Sequence, residues 1–127
     1  MTAIFAKTVT EADIVLFAGI SGDTNPIHLN QEFAEQSIFE GRICHGMLTA
    51  SFISTVLGTK LPGPGCVYLS QKVKFLAPVK AGETVRARVT VREIIPEKKR
   101  VRLETVCTIG DKPVVAGEAL VLVPSRG

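Results

Sequence analysis

The sequence predicts an α+β fold in which an antiparallel sheet packs against one long buried helix. Three observations lead there. Residues 45 to 58, HGMLTASFISTVLG, are apolar around most of a helical circumference, so the helix they form belongs inside the molecule. From residue 67 onward, apolar and polar residues alternate with the two-residue period of strands. Helix signals fill the first half and strand signals the second, with no linker or repeat between them, so the 127 residues read as one domain, 1–127.

Each element has its own signal. Ile4 to Val9 suits a short first strand, and Thr10 with Asp13 three positions later makes a capping pair for a helix running to about Gly19. The string SGDTNPIHLN, residues 21 to 30, then breaks the pattern. Pro26 forbids a regular helix through it and pushes Asn25 toward an extended conformation. A short helix from Gln31 to Ser37 follows, with Asn30 as its cap. In the buried helix, Met47, Leu48, Ala50, Phe52, Ile53, Val56 and Leu57 supply the apolar surface, while Ser51, Ser54, Thr55 and Gly58 form one stripe of small residues. Gly58 suits its end, and LPGPG, residues 61 to 65, is a loop. Val67 to Phe75, Val85 to Arg92, Val101 to Cys107 and Val114 to Val123 are the remaining strands, separated by turns that include Ala81-Gly82 and Gly110-Asp111.

Composition excludes several classes of function. With 46% hydrophobic and 21% charged residues, the chain is globular. A formal charge of +3 is spread along it, and with one Tyr, no Trp and no basic stripe with interleaved aromatics a nucleic-acid binder is not expected. Lys98, Lys99, Arg100 and Arg102 read as a solvated hairpin tip; for a phosphorylated ligand they would join Arg42 and Lys60 as candidate contacts. Cys44, Cys66 and Cys107 are odd in number and form no CxxC pair, which fits buried thiols in a reducing compartment. No stretch approaches the run of about 20 apolar residues that spans a bilayer. The start of the chain lacks the pattern of a secretory leader, so a cytoplasmic protein without a membrane partner is expected.

The chemistry lies in the broken stretch. Asp23 and His28 sit five positions apart on a turn that can fold back so that they converge, while the Asn25 side chain ties down the backbone around them. At neutral pH an unperturbed Asp and His supply a carboxylate and a neutral imidazole, which together could hold and activate one water. The alternative for Asp23 is a turn carboxylate that only accepts backbone hydrogen bonds, and for His28 an ordinary half-buried histidine. His45 reads as a packing or backbone-anchoring residue, and the spacing of Asp23, His28 and His45 matches no metal motif.

The string FAGISGDTNPIHLN, residues 17 to 30, followed by GRICHGML, residues 41 to 48, resembles the signature of the R-specific enoyl-CoA hydratases of the MaoC-like dehydratase family. The LPGPG loop, the stretch YLSQKVKFLAPVKAGETV and the closing GEALVLV extend the likeness to nearly the whole chain. The resemblance implies the hotdog fold, a sheet wrapped around one long helix, and reversible addition of water to a trans-2-enoyl-CoA giving an (R)-3-hydroxyacyl-CoA. It makes Asp23 and His28 the catalytic pair, Gly46 the residue whose N–H binds the thioester oxygen, and Ser54, with Asn25, a residue that orients the site. Leu57, one turn beyond Ser54, is the candidate inner end of the acyl pocket. The resemblance further implies an acyl-CoA partner, a homodimer, no cofactor and no metal, and a place in fatty-acid metabolism and polyhydroxyalkanoate precursor supply. A 3-hydroxyacyl-ACP dehydratase and a non-catalytic acyl-CoA-binding hotdog subunit are the alternatives.

Overall fold

The computed structural model describes residues 1–124. In chain order these form β1 (Thr2–Thr8), α1 (Glu11–Ser21), α2 (Pro26–Leu29), α3 (Gln31–Glu35), α4 (Gly46–Thr59), β2 (Val67–Phe75), β3 (Thr84–Ile95), β4 (Arg100–Ile109) and β5 (Lys112–Leu122), with one 3-10 turn, Pro96–Lys98, between β3 and β4. The five strands make one antiparallel sheet in the order β1-β3-β4-β5-β2. α4 lies against all five, as the expected hotdog arrangement requires.

Burial explains why α4 sits there. Phe52, Ile53, Val56 and Leu57 are 5% exposed or less and meet Val85, Ala87 and Val89 of β3, Leu103 and Cys107 of β4, and Val115, Ala119 and Val121 of β5 in one core. Burying each such side chain contributes about 1.5–3 kcal/mol. Ser51, Ser54 and Gly58 face outward, so the small-residue stripe is the open side of an otherwise enclosed helix.

The element ends differ from the sequence reading for local reasons. α1 runs past Gly19 to Ser21, because the residue that stops it is Gly22, whose left-handed φ of 78° lets its N–H reach the Ala18 carbonyl. The Thr10–Asp13 capping box is formed as expected. Within the stretch expected to be non-helical, Pro26 opens the single turn α2: at the first helical position its missing N–H costs nothing, and the Asn25 side chain accepts the Ile27 N–H at 3.1 Å. Asn30 caps α3 through Phe33. The strand turns fall where glycine permits positive φ, at Gly82 (94°) and Gly110 (59°).

β2 departs most from its simple alternation. It is an edge strand with an extra residue, Leu69, bulged between the pairs Tyr68–Val121 and Ser70–Leu120. Val67, Tyr68, Leu69 and Phe75 are each 38% or more exposed. Its neighbour β5 approaches so closely at Gly117 that a Cβ there would stand 1.8 Å from the Lys72 carbonyl oxygen. Among the described residues no helix is long and apolar enough to cross a membrane.

Candidate active site

The site is assembled by two short segments that meet at the N-terminus of α4. The first leaves α1 through Gly22 and carries Asp23, Asn25 and His28; the second is the extended approach to the long helix, Ile43 to His45. They are tied together by the Ile43 N–H on the Ile27 carbonyl at 3.2 Å, while the Cys44 N–H holds the Val79 carbonyl of the opposite wall at 2.6 Å. Among the sequence-predicted residues, Asp23, His28 and Gly46 line one cavity of about 410 Å³. Phe39, Ile43, Met47, Phe75, Leu76 and Val115 make the rest of it apolar.

The polar groups have fixed orientations. The Asp23 N–H donates to Ser21 Oγ at 3.1 Å, and Asp23 Oδ1 accepts the Asn25 N–H at 3.3 Å. Asn25 thus touches the carboxylate through its backbone and starts α2 through its side chain. His28, 8% exposed, lies 2.7 Å through Nδ1 from the Ile43 carbonyl. A carbonyl only accepts, so Nδ1 carries the proton and the lone pair of the neutral ring is at Nε2. Asp23, His28 and His45 each present a ligand-type atom within 4.8 Å of the others. A water making two hydrogen bonds of about 2.8 Å at a tetrahedral angle bridges roughly 4.6 Å, a span of the same order as that limit.

Gly46 is the first residue of α4. Amides in a helix's first turn have no intrahelical acceptor, and the dipole there favours negative charge. The Phe75 ring packs on this glycine so closely that a Cβ would come within 2.7 Å of it. Gly46 therefore combines a free N–H with a contact that a larger residue would disturb.

Two predicted residues lie elsewhere. Ser54 is exposed and lines a second groove between α4 and β2, with Ser51, Tyr68 and Gln71. Met47 lines both spaces. Leu57, 1% exposed, belongs to the core and lines neither of them. The candidate phosphate contacts are dispersed. Arg102 pairs with Glu93 at 3.2 Å and Glu118 at 2.6 Å, Arg42 pairs with Glu11, Lys60 Nζ donates to the Ile4 carbonyl at 2.7 Å, and Lys98 to Arg100 stand exposed at the β3–β4 tip.

Sequence reasoning did not find the partner role of Ile43, whose carbonyl sets the His28 tautomer, nor the wall from Phe75 to Val79. Neither carries a chemical signature, since one acts through its backbone and the others through shape. The stacking of His28 on His45, with ring centroids 3.8 Å apart and planes 24° from parallel, was also invisible. One nitrogen of each ring is engaged by a backbone carbonyl.

Comparison with known proteins agrees with the geometry. Residues 3–117 match the MaoC like domain. The chain is 56% identical over 126 residues to an (R)-specific enoyl-CoA hydratase of Rhodospirillum rubrum, covering 99% of this chain and 88% of that one. It is 52% identical to a 3-hydroxybutyryl-CoA dehydratase of Methylorubrum extorquens, covering 99% and 80%. Among solved structures, an (R)-hydratase from Aeromonas caviae involved in PHA biosynthesis superimposes with a TM-score of 0.94 at 41% identity, covering 98% of this chain and 95% of that one. A sheet packed on one long helix, a carboxylate and an imidazole lining one cavity, and these relatives agree, and the chain belongs to the MaoC-like domain family.

Proposed function

We propose that this protein is an R-specific enoyl-CoA hydratase, adding water reversibly to a trans-2-enoyl-CoA. The observation that carries the reading is that Asp23, His28 and Gly46 line one otherwise apolar cavity, with ligand-type atoms of Asp23 and His28 within 4.8 Å of each other. Hydration forms a C3–O bond from water and a C2–H bond, while charge accumulates on the thioester oxygen between. The pair takes a proton from the water as its oxygen attacks C3 and returns a proton to C2. The Gly46 N–H meets the thioester oxygen as it becomes anionic, where one such donor typically lowers the barrier by about 3–4 kcal/mol.

The acyl chain would run from the cavity past Met47 toward the groove that holds Ser54, which gives Ser54 a role in orienting the bound chain; Leu57 would back that wall from the core. The working unit is a homodimer joined through β2. Val67, Tyr68 and Leu69 expose apolar surface on an unpaired edge, the kind of edge a second copy can extend. A cytoplasmic location suits a CoA-dependent reaction.

The direct test follows loss of the conjugated enoyl absorbance of crotonyl-CoA and the chirality of the product. An R-specific 3-hydroxyacyl-CoA dehydrogenase should consume the product. Consumption only by an S-specific dehydrogenase, or no loss of absorbance, rejects the assignment.

A further inference from the structure

We infer that His45 is a positioning residue that holds the carboxylate, the imidazole and the oxyanion amide in one register. The inference rests on the hydratase reading and names what maintains its geometry. His45 Nε2 lies 2.8 Å from the Asp23 carbonyl oxygen, shorter than the 3.1 and 3.3 Å bonds made by the Asp23 N–H and Oδ1. Because that partner only accepts, His45 carries its proton on Nε2, the tautomer opposite to that of His28.

The ring is itself fixed. It is 2% exposed, stacked on His28 at 3.8 Å and tilted against Phe17 at 4.9 Å. His45 immediately precedes Gly46, so the backbone that presents the amide also carries the ring that anchors Asp23 and faces His28. Asp23 needs such an anchor, because it is exposed and follows the left-handed Gly22 on a segment with few other ties to the core. The remaining nitrogen, His45 Nδ1, is buried without a hydrogen-bond partner. Burying an unsatisfied acceptor is unfavourable, so packing alone gives no reason for a histidine here; the bond to Asp23 and the stack on His28 do.

Two variants separate anchoring from packing. His45→Phe keeps an aromatic face toward His28 and removes the donor, whereas His45→Gln keeps an N–H near the Nε2 position and loses the ring. Misplacing a reacting group by about 1 Å costs on the order of 100-fold in rate. Folded His45→Phe should therefore lose about 100-fold in kcat on crotonyl-CoA with KM within a few-fold of wild type, and His45→Gln should recover most of the loss. His45→Phe retaining more than half the wild-type kcat, or His45→Gln being as impaired as His45→Phe, overturns the inference.

A second measurement needs no activity. The chain has 2 histidines, so a nitrogen-15 imidazole spectrum of folded wild type at pH 8 contains two rings, and His45→Gln assigns the survivor to His28. The inference requires a neutral His45 protonated at Nε2; protonation at Nδ1 sinks it. Wild type inactive toward crotonyl-CoA would reject the hydratase reading, while the tautomer would still decide whether His45 anchors Asp23.

Discussion

At the scale of single residues, the proposed site can be dissected because the reading gives each group a separable task. Asp23→Asn retains shape and removes the charge, and His28→Gln retains hydrogen bonding without proton exchange near neutrality. Each should lower kcat roughly 100- to 10,000-fold, the usual worth of a general acid or base. The double variant should be scarcely slower than either, since groups acting on one water are non-additive. Melting temperatures in the same samples should move little; a folded single variant that keeps more than about a tenth of the rate would remove the pair from catalysis. The thiols offer a second test at this scale. Burial pushes the Cys107 thiol up to about 12 and raises that of Cys44, so thiolate is scarce at both positions at pH 8. Iodoacetamide and mass spectrometry on native protein should find Cys66 alkylated well before either; prompt labelling of Cys107 would mean the core opens more readily than its packing implies. Asp23 and His28 were legible as sequence because their side chains are titratable groups on a broken stretch, and Gly46 because the family resemblance singles it out. His45 was legible only as an anchor, because what it anchors is a backbone oxygen 22 positions away.

At the scale of elements, the strands and the buried helix could be read from period alone, while their ends depended on individual residues. α1 overran Gly19 because a glycine inside a helix merely weakens it, whereas Gly22 can turn left-handed and stop it. α2 was missed because a proline that interrupts one helix can begin another. The start of α1 supplies a stability prediction. Thr10 accepts the Asp13 N–H at 3.1 Å, and Asp13 accepts from Lys7 at 2.6 Å and from the Thr10 N–H at 2.9 Å. Thr10→Ala should cost about 1 kcal/mol in urea unfolding. The Lys7 hydrogen bond, then that from Thr10, holds the Asp13 carboxyl below its ordinary 3.8. A depressed folded value means this contribution is present above the ordinary range and is lost as pH falls through the lowered one. Asp13→Asn should therefore be less stable than wild type at pH 6, with the gap closing in strong acid; a gap that is constant with pH would mean the carboxylate's charge is not involved. A harsher test lies in the sheet. With the Lys72 carbonyl 1.8 Å from a Cβ at position 117, Gly117→Ala must push β2 away from β5, at about 3 kcal/mol or more. Thermal melting reads the loss, and an unchanged melting temperature would contradict the close approach.

At the scale of the whole molecule, the exposed apolar residues of β2 set the assembly prediction. Sedimentation at micromolar concentration should give twice the 13.6 kDa chain mass; a species of chain mass alone would contradict the edge-to-edge dimer. Replacing Leu69, 41% exposed at the bulge, by Lys should shift the balance toward monomer, since charged edges oppose pairing. This part of the molecule was the least legible in the sequence: Val67 to Phe75 alternates much as Val85 to Arg92 does, and only the strand order puts one at the rim and the other in the middle. One feature, the origin of α4 at Gly46, reaches beyond assembly. The amide proposed to meet the thioester oxygen belongs to the most enclosed helix among the described residues, whereas the carboxylate stands on an exposed turn held by a few bonds. Warming loosens sparsely tied segments before it opens the core. As temperature approaches the melting point, turnover should decline while thioester binding persists, so heat first leaves a protein that still captures its substrate and no longer hydrates it.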